Sequence, residues 1–583
     1  MLRKLKARHQ QWLVEERGTV RKDWGGKLPI ALAFPNRYAV GMSNLGFQSV
    51  YEFLNRFEQV VCERVFYPEP EDLPVLRQQP GRLLSIESQR PLADFRLIAF
   101  SISFENDFGN TIEMLRLAGL PPFSEQRGAG HPYVAAGGIA AFMNPEPLAP
   151  FLDFVFVGEG ESLIPEFLEF WLPFRERETA RFELLPALAR EVRGIYVPSL
   201  YHASYHEDGT LAAIAPLPGT GAPARVICRR ADLAASSPCK TAILTPNTEF
   251  SAVQLVEIGR GCGHGCRFCA AGCLYRPVRY HQAATLEEAL AAGFPEVSRV
   301  GLVSAAVSDH PEIADLCRQL LDSGRLLSFS SLRADGITPD LVAALTASGH
   351  RAVAIAVEAG SERLRRLINK HLTLEQVYRA VTLLTEGGIL NLKLYFMIGL
   401  PTETREDLEA MVEVVKGVKH HVLKISRGRK RLGTITLSVN AFIPKPFTPF
   451  QWTGFAGIRE LKEKARWLQQ ALRKVPNVRV HFDVPKYAYV QALLARGDRR
   501  VAFFIEKTAL DGLSWTQAMR TAPLNPDFWV MRDRDREEAF PWEVIDPRIT
   551  RAFLWEEYQH GLKGQLTEAC RPGEECHRCG VCS

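Results

Sequence analysis

No apolar run in these 583 residues reaches membrane-spanning length, and the opening Met1-Leu-Arg-Lys-Leu-Lys-Ala-Arg-His9 lacks the apolar core of an export signal. The chain is therefore expected to be soluble and cytoplasmic, with no membrane partner. Solenoid-type repeats and long low-complexity tracts are missing too, which sets aside repeat arrays and disordered linkers as the main architecture. Nor is one sign of charge in large excess: 71 Lys and Arg stand against 66 Asp and Glu, a net +5 that does not by itself imply nucleic acid. What remains is an ordinary globular composition, 46% hydrophobic and 23% charged, on a chain too long for one core. About two to four domains are expected.

Against these absences stand twelve cysteines. Without an export signal they point to metal or redox chemistry rather than a disulfide framework. Seven fall in two tight groups. Cys262, Cys266 and Cys269 lie in Glu257-Ile-Gly-Arg-Gly-Cys-Gly-His-Gly-Cys-Arg-Phe-Cys269, a glycine-rich loop after an apolar run. Three thiols at CxxxCxxC spacing can face one iron–sulfur cluster. They are one ligand short of the set a four-iron cluster takes, which leaves one iron open to a substrate or cosubstrate. Zinc is the alternative, but it usually closes four positions with paired knuckles. Here only Cys273 follows nearby, and His264 sits awkwardly between the first two cysteines. Cys273 is read either as a buried inert thiol or as a neighbour of the bound cosubstrate. The second group, Cys570-x5-Cys576-x2-Cys579-x2-Cys582, suits a second iron–sulfur cluster, with Cys570 as fourth ligand of a ferredoxin-like run, or a four-thiolate zinc site.

The pattern along the chain is α/β. From about residue 25 to 210, short apolar runs (Ile30–Phe34, Leu97–Ile102, Tyr133–Ala136, Phe154–Val157) alternate with helical segments (Leu45–Leu54, Thr111–Ala118), predicting a doubly wound parallel sheet. Glycines at the strand ends (Gly137, Gly138, Gly158, Gly160) either admit a ligand's phosphate or sugar to the sheet's carboxyl edge or simply make tight turns. Pro216 to Pro223 reads as a linker. From Val253 to Phe442 six strand–helix units follow, with strands at Val253–Ile258, Val300–Ser304, Leu327–Leu332, Ala352–Val357, Asn391–Met397 and Thr434–Asn440. Helix starts are marked by Thr285 with Glu288, by Thr338-Pro339 and by Thr404 with Asp407, and helix stops by Gly349 and Gly387. Six such units make a partial barrel whose chemistry lies at the carboxyl ends of its strands, where the cysteine loop, Ser304, Arg333, Glu358 and Gly399 converge. Lys393, inside the fifth strand, is either a buried charge near that mouth or a snorkelling lysine. Beyond 443 the pattern is less regular, apart from the helical stripe Ile458, Leu461, Ala465, Leu468, Leu472. Seven Lys or Arg between Lys416 and Arg431, with no acidic residue, keep an RNA-phosphate surface open, although a solvated loop opposite the chemistry suits them better.

The CxxxCxxC loop with Phe268 before its last cysteine resembles the signature of the radical S-adenosylmethionine (SAM) superfamily. Further resemblance runs through Pro35-Asn-Arg-Tyr-Ala-Val-Gly-Met-Ser-Asn-Leu-Gly46, Asn144-Pro-Glu-Pro-Leu148, Val157-Gly-Glu-Gly-Glu161, Tyr275-Arg-Pro-Val-Arg279 and Phe442-Ile-Pro-Lys-Pro-Phe-Thr-Pro-Phe-Gln-Trp452. The whole is similar to members with an N-terminal cobalamin-binding-type domain and a cysteine-rich tail. The resemblance implies a Rossmann-like domain over 1–225, a partial (β/α)6 radical SAM barrel over 226–450 and a C-terminal domain with its tail over 451–583. It implies a 4Fe–4S cluster on Cys262, Cys266 and Cys269, SAM chelated at the open iron, and a 5′-deoxyadenosyl radical after one-electron cleavage. At the same mouth as Ser304, Glu358 can accept from SAM's ammonium or ribose hydroxyls, Arg333 can pair with its carboxylate and Gly399 can approach adenine, or the three are a structural ion pair, a helix-facing arginine and a turn glycine. Cobalamin is implied as well, although the Asp-x-His-x-x-Gly motif that supplies a histidine to cobalt is absent. After the first strand the chain reads Phe34-Pro-Asn-Arg-Tyr-Ala-Val-Gly41 instead.

Three functional expectations follow. The first is a radical SAM enzyme methylating an unactivated carbon with cobalamin's help. The second is a cobalamin-free modification, such as methylthiolation, of a tRNA or protein. The third is an iron–sulfur scaffold or sensor without turnover. An electron donor such as flavodoxin or ferredoxin is expected for the first two. Substrate identity, small or macromolecular, lies in pocket shape, which sequence does not spell out.

Overall fold

The computed structural model describes residues 2–174, 180–250, 253–330, 332–427, 433–570, 576 and 578–582. It divides into two compact units. One comprises Met1–Ala252 with Leu493–Trp529 and Glu537–Arg548, and the other Val253–Ala492 with Val530–Arg536 and Ile549–Ser583. The region after 450, expected as a domain of its own, is shared between them.

The first unit is built on β1 (Leu28–Phe34), β2 (Val60–Phe66), β3 (Leu97–Ser101), β4 (Tyr133–Gly137), β5 (Phe154–Phe156) and β6 (Ile195–Tyr196) in the order β2-β1-β3-β4-β5-β6. All neighbours are parallel except β5 and β6. This is the expected doubly wound sheet, and helices Leu45–Asn55 and Phe108–Leu117 fall where the apolar pattern puts them. Strand β2 was hidden in the sequence because Glu63 and Arg64 interrupt its apolar run. The fold buries all seven of its residues and satisfies the charges internally. Arg64, wholly buried, donates to Glu16 Oε2 at 2.7 Å and to Glu87 Oε1 at 2.6 Å. A hairpin, Tyr201–Tyr205 with Leu211–Pro216, ends at Pro216, and the expected linker follows it as irregular chain over 217–223. The motif Asn144-Pro-Glu-Pro-Leu148 serves as an anchor for residues 495–499. Asn144 Nδ2 donates to the carbonyls of Ala495 and Gly497 at 3.1 and 2.8 Å, and Arg499 pairs with Glu146 at 2.8 Å.

The strand-end glycines take the turn-making alternative. A Cβ on Gly138 (φ +90°) would lie 2.5 Å from the carbonyl oxygen of Ile102, and one on Gly158 (φ +121°) 2.2 Å from that of Arg229. Both spaces are filled by the protein's own backbone, so neither glycine opens a groove for a ligand.

The second unit carries β7 (Val253–Glu257), β8 (Arg299–Val303) and β9 (Leu326–Phe329) in one parallel sheet. A second parallel sheet holds β10 (Ala352–Glu358), β11 (Asn391–Ile398), β12 (Ile435–Ala441) and β13 (Val478–Phe482). A parallel bridge between Leu332 and Ile355 joins the two sheets. The six expected strands are present within a residue or two, and β13 is a seventh. Its alternating half-exposed residues lack the apolar run that marks the others. Thr338 caps helix Pro339–Ala347 and Thr404 forms a capping box with Asp407, as the sequence predicts. Thr285 does not cap, because its helix already begins at Ala283. Lys393 points to solvent beside the Tyr395 ring, so the buried cation at the mouth is a different lysine. The basic run is helical to Ser426 rather than a loop, and residues 428–432 lie outside the described residues. No helix among the described residues is long and apolar enough to cross a membrane.

Candidate metal centre at the barrel mouth

Strand β7 delivers the chain to the mouth, and a two-residue antiparallel pairing of Gly259–Arg260 with Arg279–Tyr280 pinches the base of the cysteine loop. None of the twelve cysteines is in a disulfide. Cys266 is buried, and the thiols of Cys262 and Cys269 are close enough to sense it and, for Cys269, one another. Burial raises the Cys262 thiol, and it pushes Cys269 up to about 12, helped by the charge of Cys266. Such thiols stay protonated at neutral pH unless a metal takes the proton's place.

Backbone N–H groups of His264 and Gly272 are aimed at Cys262 and Cys269. Donors of this kind stabilise cluster thiolates. Among the described residues the three sulfurs do not all lie within 4.8 Å of one another. A zinc tetrahedron with Zn–S near 2.3 Å would draw its sulfurs to about 3.8 Å. Three thiols on one loop suit a cluster whose thiolates each take a separate iron, and Cys262 also has its sulfur within 4.8 Å of the ligand atoms of His264 and Asp309.

The loop's other residues are already engaged. His264 Nε2 lies 2.5 Å from Asp309 Oδ2, so its ring is occupied and does not close a fourth cluster position. Phe268 packs on a buried patch of Ala359, Leu364, Leu367, Ile368, Met397 and Leu400 at the ends of β10 and β11. That contact gives a physical reason for an aromatic residue before the last cysteine. Arg267 is fully buried and donates to the carbonyls of Arg366 (3.0 Å), Leu367 (3.1 Å) and Gln565 (2.8 Å). Asn369 Nδ2 donates to the Gly265 carbonyl at 3.2 Å.

Four further predicted residues sit at strand ends. Glu358 closes β10 at a register irregularity with φ +70°, a left-handed conformation that is costly for a non-glycine and frequent at functional sites. Its carboxylate lies 3.7 Å from Lys370 Nζ and senses Arg333. Arg333, also buried, holds Asp335 through two hydrogen bonds of 2.8 and 3.1 Å and senses Cys266 and Asp309. Ser304 follows β8, where its N–H donates to Ser330 Oγ at 3.4 Å. Gly399 (φ +82°) donates its N–H to Glu403, which is paired with Lys464. A Cβ there would strike Leu461 at 2.9 Å, so packing against helix Ile458–Leu472 already demands glycine. Arg333, Glu358 and the cysteine loop therefore form one electrostatic neighbourhood. Sequence reading missed Lys370, Asp309, Asn369 and Arg276 as part of it. Lys370 and Asn369 follow a helix rather than a strand, where no periodic signal marks them.

Cys273 is buried, and burial pushes its thiol up to about 11. It lies within reach of the charges of Arg276, Glu557, Cys266 and Cys579, and Cys269 senses it, so it stands beside the first loop as well as the tail.

A parallel barrel with a three-thiol loop after its first strand and charged residues at later strand ends defines a class of cofactor-binding enzymes. Residues 46–198 match the family model for the N-terminal region of radical SAM proteins, and residues 256–415 match that of the radical SAM superfamily. The chain belongs to the radical SAM superfamily and is an enzyme. It is 28% identical to an uncharacterized protein of Methanocaldococcus jannaschii, over 82% of this chain and 90% of that protein. It is also 28% identical to a tRNA-2-methylthio-N(6)-dimethylallyladenosine synthase of Sorangium cellulosum, over 32% of this chain and 42% of that one. Among solved structures, the radical SAM methyltransferase TsrM of Kitasatospora setae, with cobalamin and a 4Fe–4S cluster bound, aligns over 75% of this chain and 78% of its own. The identity is 14% and the TM-score 0.47.

Proposed function

We propose that this enzyme cleaves SAM reductively at a 4Fe–4S cluster held by Cys262, Cys266 and Cys269, and uses the resulting radical to modify an unactivated carbon. The observation that carries the reading is the place of Arg333, within electrostatic reach of Cys262 and Cys266 on one side and of the Glu358–Lys370 pair on the other. When bound, the cluster supplies an open iron for the amino acid end of SAM and the electron that yields the 5′-deoxyadenosyl radical. The residues of the chain do the rest. Arg333 offers a planar guanidinium to the methionyl carboxylate. Glu358 accepts from the ammonium or ribose hydroxyls, and Lys370 holds it ionised in a buried setting. Ser304 and the Gly399 turn border the same mouth. The electron comes from a soluble donor of the flavodoxin or ferredoxin type in a cytoplasmic setting. Release of 5′-deoxyadenosine from SAM under anaerobic reducing conditions tests the reading, and its absence with full iron loading overturns it.

Glu358 sets a pH dependence. Burial raises its pKa above the ordinary carboxylate value, while Lys370 and Arg333 pull it part of the way back. The carboxylate accepts from an ammonium only when ionised, so activity falls as pH drops through that raised pKa. In Lys370→Met the pKa rises further, and the acid limb of kcat/KM for 5′-deoxyadenosine formation moves to higher pH. An acid limb unmoved by the substitution would remove Glu358 from the role.

For the group transferred, we place cobalamin-assisted methylation first. Cobalamin, when bound, supplies a methyl carrier. Its seat would be the carboxyl edge between β1 and β3, where the strand order reverses and ligands of open α/β sheets bind. Asn106 Oδ1 there is buried without a hydrogen-bond partner. Nearby, Asn44 Nδ2 donates to Ser103 Oγ at 3.1 Å, Asn36 donates to Asp107 at 3.0 Å, and Phe104 is exposed. Amide-rich ligands suit such a set, and a corrin carries amides around its rim. Asn36, Asn44, Ser103 and Asn106 would hold it without a histidine. Corrin absorption is expected to survive desalting of the reconstituted protein and to weaken in Asn106→Leu. Its loss from the unaltered protein would leave the second reading, methylthiolation-like modification of a tRNA or protein. The Sorangium relative supports that alternative.

A further inference from the structure

The segment from Gln565 to Cys582 is fastened to the loop of the first three cysteines. Cys570 donates its N–H to the Gly263 carbonyl at 2.7 Å, and a Cβ on Gly263 would lie 2.7 Å from the Cys570 carbonyl oxygen. Thr567 exchanges hydrogen bonds with Asn369, donating its N–H to Oδ1 at 2.9 Å and accepting from Nδ2 at 3.1 Å. Arg267 donates to Thr567 Oγ1 at 3.1 Å and pairs with Glu557 at 3.2 Å, and Glu557 also pairs with Arg578 at 3.2 Å. Further along, Cys579 is buried and its carbonyl accepts from Thr550 N–H at 2.9 Å.

Cys570 senses the charges of Cys579, Cys582 and Cys576, and the buried Arg276 is near enough to donate to the Cys579 sulfur. Arg276 also donates to the Gly272 carbonyl at 2.7 Å, and its Nη2 lies 3.1 Å from where a Cβ on Gly265 would stand. One guanidinium thus touches both the first loop and the tail.

We propose that Cys570, Cys576, Cys579 and Cys582 hold a second four-iron cluster, with Arg276 as its buried counter-cation, seated directly against the loop of the first centre. Four thiolates leave no open iron, so this cluster binds no SAM. Its charge is offset by a cation that also touches the first loop, so the electrostatics of the two centres are linked. This site stands on the tail's own residues and does not depend on the SAM-cleavage reading.

Iron, sulfide and zinc are counted in the full-length chain after anaerobic reconstitution. About four irons are expected in Cys262→Ala/Cys266→Ala/Cys269→Ala, about four in Cys576→Ala/Cys579→Ala and about twice that in the unaltered chain. One zinc and no iron in the first variant overturns the cluster, and neither metal there, with the tail variant matching the unaltered chain, overturns the site. Arg276→Gln is expected to keep its iron and lower the midpoint potential of the terminal cluster, read by paramagnetic resonance during reductive titration, because a nearby cation favours the more negative reduced state. Arg276→Lys should restore most of the shift. A potential unchanged in Arg276→Gln overturns the counter-cation role. Iron missing from the first site alone would count against SAM cleavage and leave the terminal cluster standing.

Discussion

Replacing Cys262, Cys266 and Cys269 together with alanine should abolish the release of 5′-deoxyadenosine from SAM. On the proposed reading the three thiols are the protein ligand set of the first centre, and burial makes Cys262 and Cys269 poor thiolates unless metal is bound. The ring of His264, the nearby imidazole, is already held by Asp309. Each single replacement should have nearly the same effect, because a cluster short of one thiolate is lost or inactive rather than slowed in proportion. The assay is anaerobic, with SAM and a strong reductant, and product is separated by chromatography. A triple variant that still forms 5′-deoxyadenosine above the protein-free background would remove the central claim.

Arg64→Ala should destabilise the first unit by about 3–5 kcal/mol, the usual cost of taking one partner from a buried ion pair. The substitution leaves Glu16 and Glu87 facing each other with no cation between them, and it empties the space of a fully buried side chain stacked on Tyr51. At roughly 2–4 °C per kcal/mol for a unit of this size, the corresponding calorimetric transition should fall by about 10 °C or somewhat more. Replacing Arg64, Glu16 and Glu87 together by apolar residues of similar volume should recover much of the loss. If the triple replacement is as unstable as Arg64→Ala, packing rather than the stranded charge is responsible.

The same arginine shows where sequence reading gives out. Strands β1, β3 and β4 are legible because near-complete burial selects short apolar runs, and β7 to β12 because an apolar residue recurs at least every second position. Strand β2 is just as buried, yet its charges find partners 23 and 48 residues away, and no local pattern reports that. Strand β13 fails for the opposite reason: it is half-exposed and lacks the run. In the site, the cysteine spacing and the strand-end residues Arg333 and Glu358 could be read because they sit at fixed offsets from recognisable elements. Lys370 and Arg276 could not, since each acts from a segment between elements and is defined by what it touches. Lys393 shows the converse, a lysine well placed by number whose strand alternation turns it to solvent. At Gly138 and Gly158 the sequence left ligand approach and tight turns open, because glycine answers any close approach, and here the approaching group is the protein's own chain at Ile102 and Arg229.

The clasp between Arg267 and Thr567 joins residues 300 positions apart. On a ribosome elongating at about 5–20 residues per second, the cysteine loop emerges roughly 15–60 s before the segment that fastens it. Throughout that interval its three thiols are without their cover, open to oxidants and equally to the machinery that delivers iron and sulfide. Growth conditions that slow translation lengthen the window, and oxygen during it should injure the first centre while leaving the later-made terminal cysteines less affected.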